Sequence, residues 1–333
     1  MSRYFGAPTR RLRRGLLVAV AVAVTVPLVL SGCTPTAGTT SGKAADAGDR
    51  TYALVVHSVP GDPFWDVVKS GAEAAATSDG ATITYQGNPD PQKQSQLIET
   101  AIADKVDGII VSMANPEGVQ GAIADAVAAK IPVITINSGS EQSAAFGAMT
   151  HVGQSEFPAG QGAGKQFNDA GVQNLICIVH EAGNKGLEDR CAGATDSFGG
   201  TVKNIQVDVA NIADAQNTIK SALLADPSID SVLTLNPAIA VAASQAVAEA
   251  ASTAQVGTFD VSSDVTSLIE EGKILFAIDQ QPYLQGYLPV TFFGLYWSNG
   301  NVVGGGAPVY SGPGFITKEN AAQVAEYAVN GTR

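Results

Sequence analysis

Gly108-Ile109-Ile110-Val111-Ser112, a helix-length stretch over residues 118–129, and then Val133-Ile134-Thr135-Ile136 decide how the chain folds. Both short runs are apolar at successive positions, so each must be covered on both faces, as strands of a buried parallel sheet are. The stretch between them repeats small and apolar residues at helical spacing. It is long enough to cross over the sheet and return the chain in the same direction. The unit reads as β-α-β, and the fold as α/β.

Working outward, the same unit recurs. Strand-like runs fall at 52–56, 81–85, 174–179, 205–209, 231–235, 256–259 and 275–278, with helical patterns at 64–77, 92–103, 156–169, 186–198, 215–225, 238–251 and 265–271. This is more strand than one open sheet takes at this length, so two Rossmann-like lobes with parallel sheets are expected. One β/α series completes near Thr150–Gln154 and a new helix opens at Glu156, whereas a helix at 284–297 has no series of its own. The expected division is 50–151 with 282–306 for an N-terminal lobe and 152–281 with 307–333 for a C-terminal lobe. A multi-strand hinge would join them, with a ligand cleft between.

The first 32 residues do not belong to either lobe. Arg10, Arg11, Arg13 and Arg14 precede an apolar run over 15–30 that is interrupted by Pro27, too short for a permanent span and suited to a secretory signal. Leu30-Ser31-Gly32-Cys33 follows and resembles the bacterial lipobox, which implies a lipidated Cys33 as first mature residue and a membrane contact through its acyl chains. Residues 33–49 are rich in Thr, Gly, Ser and Ala and read as a flexible tether.

The 333 residues carry 19 Lys+Arg against 31 Asp+Glu, and all five basic residues of the first 32 are lost with the signal, leaving a net charge of about −17. Such a body repels phosphate backbones and anionic lipid, which argues against nucleic-acid partners. With 45% hydrophobic residues the chain is also far from a disordered composition. Cys177 and Cys191 remain as an even pair in a chain bound for an oxidising compartment. A bridge between them is one reading; two buried thiols or a metal pair are the others.

In open parallel sheets ligands lie beyond the carboxyl ends of the strands. The residues there are Ser58 to Trp65, Asn115, Asn137-Ser138, Gly153-Gln154, His180-Glu181, Asn236, Asp260 and Gln280. Amides, hydroxyls, carboxylates and an aromatic pair suit a polyhydroxylated ligand whose hydroxyls donate and accept while its C–H faces meet rings. Arg190 stands out because only Arg50 and Arg333 accompany it in the mature chain. Its fork can serve hydroxyls or Asp260, or else pair on the helix surface with Glu188 or Asp189.

Asp62-Pro63-Phe64-Trp65, Lys105 to Val111, Ile131-Pro132-Val133-Ile134-Thr135 before Asn137, Gly257-Thr258-Phe259-Asp260 and Asp279-Gln280-Gln281-Pro282 occur in an order that resembles the ribose-type periplasmic sugar-binding family. The resemblance spans 50–333. It implies a type I periplasmic binding fold whose lobes close over one sugar and deliver it to an ABC permease, as a monomer and without a cofactor. It further implies that Phe64 and Trp65 flank the sugar, that Asp62, Asn137, Arg190, Asn236, Asp260 and Gln280 bind its hydroxyls, and that Asn115 shapes the pocket. Ser138, Gln154 and Glu181 complete the expected ligand set.

The family often has an Asp-Arg pair where this chain has Asn137-Ser138, which weakens ribose as the ligand. The segments Cys177 to Asn184 and Glu188 to Cys191 resemble a branch that includes receptors for less common sugars and sugar alcohols, so a pentitol stands beside an aldopentose. A sensing receptor that presents its ligand to a membrane sensor is the alternative role.

Enzyme signatures are missing. Gly160-Gln161-Gly162-Ala163-Gly164-Lys165 lacks the leading Gly and the final Ser or Thr of a phosphate loop and lies in a helical pattern, where small-residue packing is the better account. His57, His151 and His180 lack metal-helix spacing, and there is no Gly-x-Ser-x-Gly elbow.

Overall fold

The computed structural model describes residues 49–58 and 62–333; the signal, Cys33 and all of the tether but Asp49 lie outside the described residues. The first lobe alternates β1 (Thr51–Val56), α1 (Pro63–Asp79), β2 (Thr82–Gly87), α2 (Pro91–Ala103), β3 (Gly108–Ser112), α3 (Pro116–Ala128), β4 (Val133–Ile136), a short α4 (Ser140–Ser143) and β5 (Thr150–Gln154). The second repeats the pattern. It runs through α5 (Glu156–Asp169), β6 (Asn174–Val179), α6 (Lys185–Ser197), β7 (Thr201–Gln206), α7 (Ile212–Ala225), β8 (Ser231–Thr234), α8 (Pro237–Glu249), β9 (Gln255–Phe259), α9 (Ser263–Glu270) and β10 (Ile274–Asp279). The chain then returns: α10 (Pro282–Asn299) and β11 (Val309–Gly312) join the first lobe, and β12 (Gly314–Ile316) and α11 (Ala321–Val329) the second.

The sheets have the same strand order, β11-β5-β4-β3-β1-β2 and β12-β10-β9-β8-β6-β7, parallel except for β12 against β10. Each lobe therefore has its topological switch point between its first and third strands, where a ligand crevice opens. Apolar side chains cover both faces of each sheet, with α1 and α10 on one side of the first and α2 and α3 on the other. In the second, α5 and α6 face α7, α8, α9 and α11 across the sheet.

Two expected boundaries move. All of β5 pairs in the first sheet, so the first crossing falls at Ser155, past the expected 151/152; and β11 pairs with β5, so the last crossing falls at Pro313 and not at 306/307. The signal was weak because β5 (Thr-His-Val-Gly-Gln) and β11 (Val-Tyr-Ser-Gly) lack apolar runs. Strand β7 covers 201–206, earlier than the expected 205–209, because this edge strand is polar and exposed and gives no apolar signal.

Four helices open alike: Asp62-Pro63, Asp90-Pro91, Asn115-Pro116 and Asn236-Pro237 place a capping side chain before a proline whose missing N–H costs nothing there. Gly160-x-Gly162-x-Gly164 lies inside α5 and serves packing. A Cβ on Gly160 would stand 2.1 Å from the Arg190 carbonyl oxygen, and one on Gly193 of α6 would stand 2.0 Å from that of Phe157. This close crossing sets α6, and with it Arg190, against the start of α5. A disulfide joins Cys177 on β6 to Cys191 on α6, with Cα atoms 5.9 Å apart, directly after Arg190.

Candidate functional site

The carboxyl ends of both sheets face one cleft. Its inner end is lined by ten of the twelve residues expected from the sequence: Asp62, Phe64 and Trp65 from α1 and its cap, Asn137 and Ser138 after β4, and Glu181, Arg190, Asn236, Asp260 and Gln280 from the second lobe. Asn115 lines only the outer cleft, with its Oδ1 capping α3 at Gly118 N, 2.9 Å away. Gln154 does not reach the cavity. It is wholly buried at the end of β5 and donates from Nε2 to Glu156 Oε2 at 2.8 Å, so its part is to hold Glu156.

Glu156 is what sequence reasoning missed about Arg190. The guanidinium donates from Nε and Nη2 to the two Glu156 oxygens, at 2.6 and 3.0 Å, and lies over the Phe259 ring at 4.5 Å. The expected surface partners are otherwise engaged or distant, for Asp189 takes Lys185. This bidentate pair is buried, with Arg190 3% and Glu156 8% exposed. Arg190 Nη1 is left over, 4.0 Å from Asp260 Oδ2, too far for a hydrogen bond.

Gln280 is the hub of the cleft floor. Its Nε2 donates to Asp260 Oδ1 at 2.9 Å, and its Oε1 accepts from Asn137 Nδ2 at 2.9 Å and from Gln285 Nε2 at 2.8 Å. Ser138 Oγ continues the chain to Asn137 Oδ1 at 2.9 Å and to Asn184 Oδ1 of the other lobe at 3.3 Å. Asn137 and Asp260, which follow the fourth strand of each series, and Gln281 at the hinge have φ of 62°, 65° and 55°. Backbone in this left-handed region is costly for residues other than glycine, and three of the six such residues among those described lie here.

The lobes also touch nearer the mouth, where Lys185 N donates to Ala114 O at 2.9 Å. His57 after β1 and His180 after β6 occupy matching places in the two series, with Nε2 atoms 3.9 and 4.0 Å from the Glu181 carboxylate. These, with Asn184, Leu187 and Leu235, line the cavity but were not in the expected ligand set, although His180 was named at its strand end. The rule that points to strand ends covers the two histidines, but nothing in the sequence marks the leucines. Trp65 is more buried than its expected role requires: 3% exposed, it packs in the first-lobe core, edge-on to His57 and Phe64 at 4.9 and 5.1 Å. Phe64, half-buried, offers more ring to the cleft.

Burial pulls His57, His151 and His180 down to about 4, so all three are neutral at pH 7. Burial raises Asp62, with Glu181 adding to the rise, and pushes Asp260 up to about 7 against the pull of Arg190 and Gln280. A histidine held below its unfolded value near 6.5 contributes stability that is full above pH 6.5 and is lost as pH falls toward 4. Asp260 acts oppositely over the window from about 4 to 7. His151 lies outside the cavity, so His151→Gln is expected to flatten the acid side of the stability curve by about one proton's slope, read from unfolding midpoints between pH 6.5 and 4.

Residues 52–297 match the periplasmic binding protein domain family. A carbohydrate transporter from Acidothermus cellulolyticus 11B, crystallised with myo-inositol, is 42% identical, with a TM-score of 0.84 over 86% of this chain and 100% of that one. The ribose import binding protein of Bacillus subtilis strain 168 is 27% identical over 281 residues, 81% of this chain and 90% of the relative. The D-apiose import binding protein of Paraburkholderia graminis is also 27% identical, over 91% of this chain and 97% of its own. With two β/α lobes of one topology, three crossings and a polar cleft at the strand ends, the chain belongs to the periplasmic binding protein domain family.

Proposed function

We propose that the chain is an extracytoplasmic solute-binding protein that captures one monosaccharide or sugar alcohol in the interlobe cleft and presents the closed form to an ABC permease. The observation that carries this is the Arg190–Asp260 gap. A donor and an acceptor 4.0 Å apart, each oriented by other partners, suit two adjacent ligand hydroxyls, one accepting from Nη1 and the next donating to the carboxylate. Phe64 supplies a ring for the C–H face. Among ligands, a cyclitol ring gains support from the 42% identical structure that holds myo-inositol.

Anchoring on the outer face of the cytoplasmic membrane stands on Leu30-Ser31-Gly32-Cys33, and among the described residues no helix is long and apolar enough to cross a membrane. A monomer suffices for this role, since both walls of the cleft come from one chain. Arg190→Lys removes the fork while keeping the charge. It is expected to weaken polyol binding at least tenfold in a calorimetric titration, about the worth of one charged hydrogen bond; unchanged affinity would remove Arg190 from the site.

A further inference from the structure

The cleft holds more negative charge than a neutral ring needs. Glu156 already balances Arg190 through both of its oxygens, and Arg190 is the only lysine or arginine among the described residues lining the inner cavity. Asp260 shares Arg190 at 4.0 Å, whereas Asp62 and Glu181 face the same space without a cation of their own. Asp62 accepts from Phe64 N and Ser58 Oγ, at 3.0 and 3.2 Å, and Glu181 from Asn184 Nδ2 at 2.7 Å, all neutral donors. His57 and His180 stand 3.9 and 4.0 Å from Glu181, beyond hydrogen-bond reach, and burial keeps both uncharged at neutral pH. The outer cleft adds Asp66, Asp208, Asp214 and Asp264; its one arginine, Arg333, is bonded to Asp279. The cleft belongs to a ligand because Arg190, 3% exposed, lines it with one nitrogen, Nη1, that makes no hydrogen bond and stands 4.0 Å from Asp260. Asp62, whose carboxyl burial raises, gains from a bound cation, and Glu181, partly exposed at the opposite wall, offers a second acceptor for it.

We infer that the ligand of this cleft carries an amino group, held as an ammonium between Asp62 of the first lobe and Glu181 of the second: an aminocyclitol or amino sugar. This rests on the polyol reading above. The ring hydroxyls occupy the Arg190–Asp260–Gln280 floor, and the ammonium, with three donors, spans carboxylates from opposite lobes. It therefore has more partners in the closed form and favours closure. The four outer aspartates draw a cation toward the mouth and repel uronic acids and sugar phosphates.

The test is calorimetric titration of the full chain at neutral pH and low salt with two pairs of ligands that differ by one hydroxyl exchanged for an amine: scyllo-inositol with scyllo-inosamine, and D-glucose with D-glucosamine. In at least one pair the amine is expected to bind about tenfold tighter or better. In Glu181→Gln that ratio is expected to fall to within about threefold of one, and in the unaltered chain it is expected to shrink on raising the ionic strength, a readout that needs no variant. A neutral partner that binds as well as or better than its amine in both pairs overturns the inference and leaves the polyol reading standing. Four ligands without detectable binding overturn the inference as well; the polyol reading falls only when pentoses, hexoses, pentitols and myo-inositol also fail to bind.

Discussion

Glu156→Ala is expected to lower the unfolding free energy by about 3–5 kcal/mol, measured in urea or by thermal unfolding, because it leaves the Arg190 guanidinium buried without its two charged acceptors. Asp260, 4.0 Å from Nη1, is the one remaining carboxylate near enough to compensate in part, which places the loss toward the lower end of that range. The pair is also dispensable for folding as a pair: a double change, Glu156→Leu with Arg190→Met, removes both charges together and should recover most of the lost stability. It should not recover binding, because no fork then faces the cavity. A single variant as stable as the unaltered chain would show that this ion pair is not what orders the cleft floor.

The second large effect concerns the bridge behind the same arginine. Cys177→Ala with Cys191→Ala opens a loop of sequence separation 14 and is expected to cost about 3 kcal/mol by chain entropy. The bridge ties α6 to β6 one residue after Arg190, so the loss extends to function. Ligand affinity should fall together with stability, and reductant should reproduce both changes in the unaltered protein. A stability loss below about 1 kcal/mol would mean that helix packing through Gly160 and Gly193 alone holds α6 in place.

What was legible in the sequence divides along physical lines. The inner strands β1, β3, β4, β6, β8, β9 and β10 are apolar on both faces and announce themselves, and the Asp-Pro and Asn-Pro caps announce the helices that end at the cleft. The edge strands β7 and β11 and the hinge-side strand β5 carry polar or small residues, so β7 was placed four residues late and β5 and β11 were not read as strands. Residues that sit at strand ends were found by position. Their partners were not, because the Arg190–Glu156 fork joins positions 34 apart and the Asn137–Gln280 bond joins positions 143 apart, across the crossing at Ser155. Trp65 shows the converse: rarity in the sequence suggested a ligand platform, whereas α1 turns most of the ring into the lobe core.

The most direct test of the central claim is a thermal-shift titration of the full chain with myo-inositol, run beside pentoses, hexoses, pentitols, amino acids and nucleosides. A ligand that binds only the folded form adds about 2.7 kcal/mol of apparent stability at a hundredfold excess over its dissociation constant. A saturable upward shift is expected with a cyclitol, a monosaccharide or a sugar alcohol, abolished or strongly reduced in Arg190→Lys. A shift with an amino acid or a nucleoside and with no polyol would contradict it.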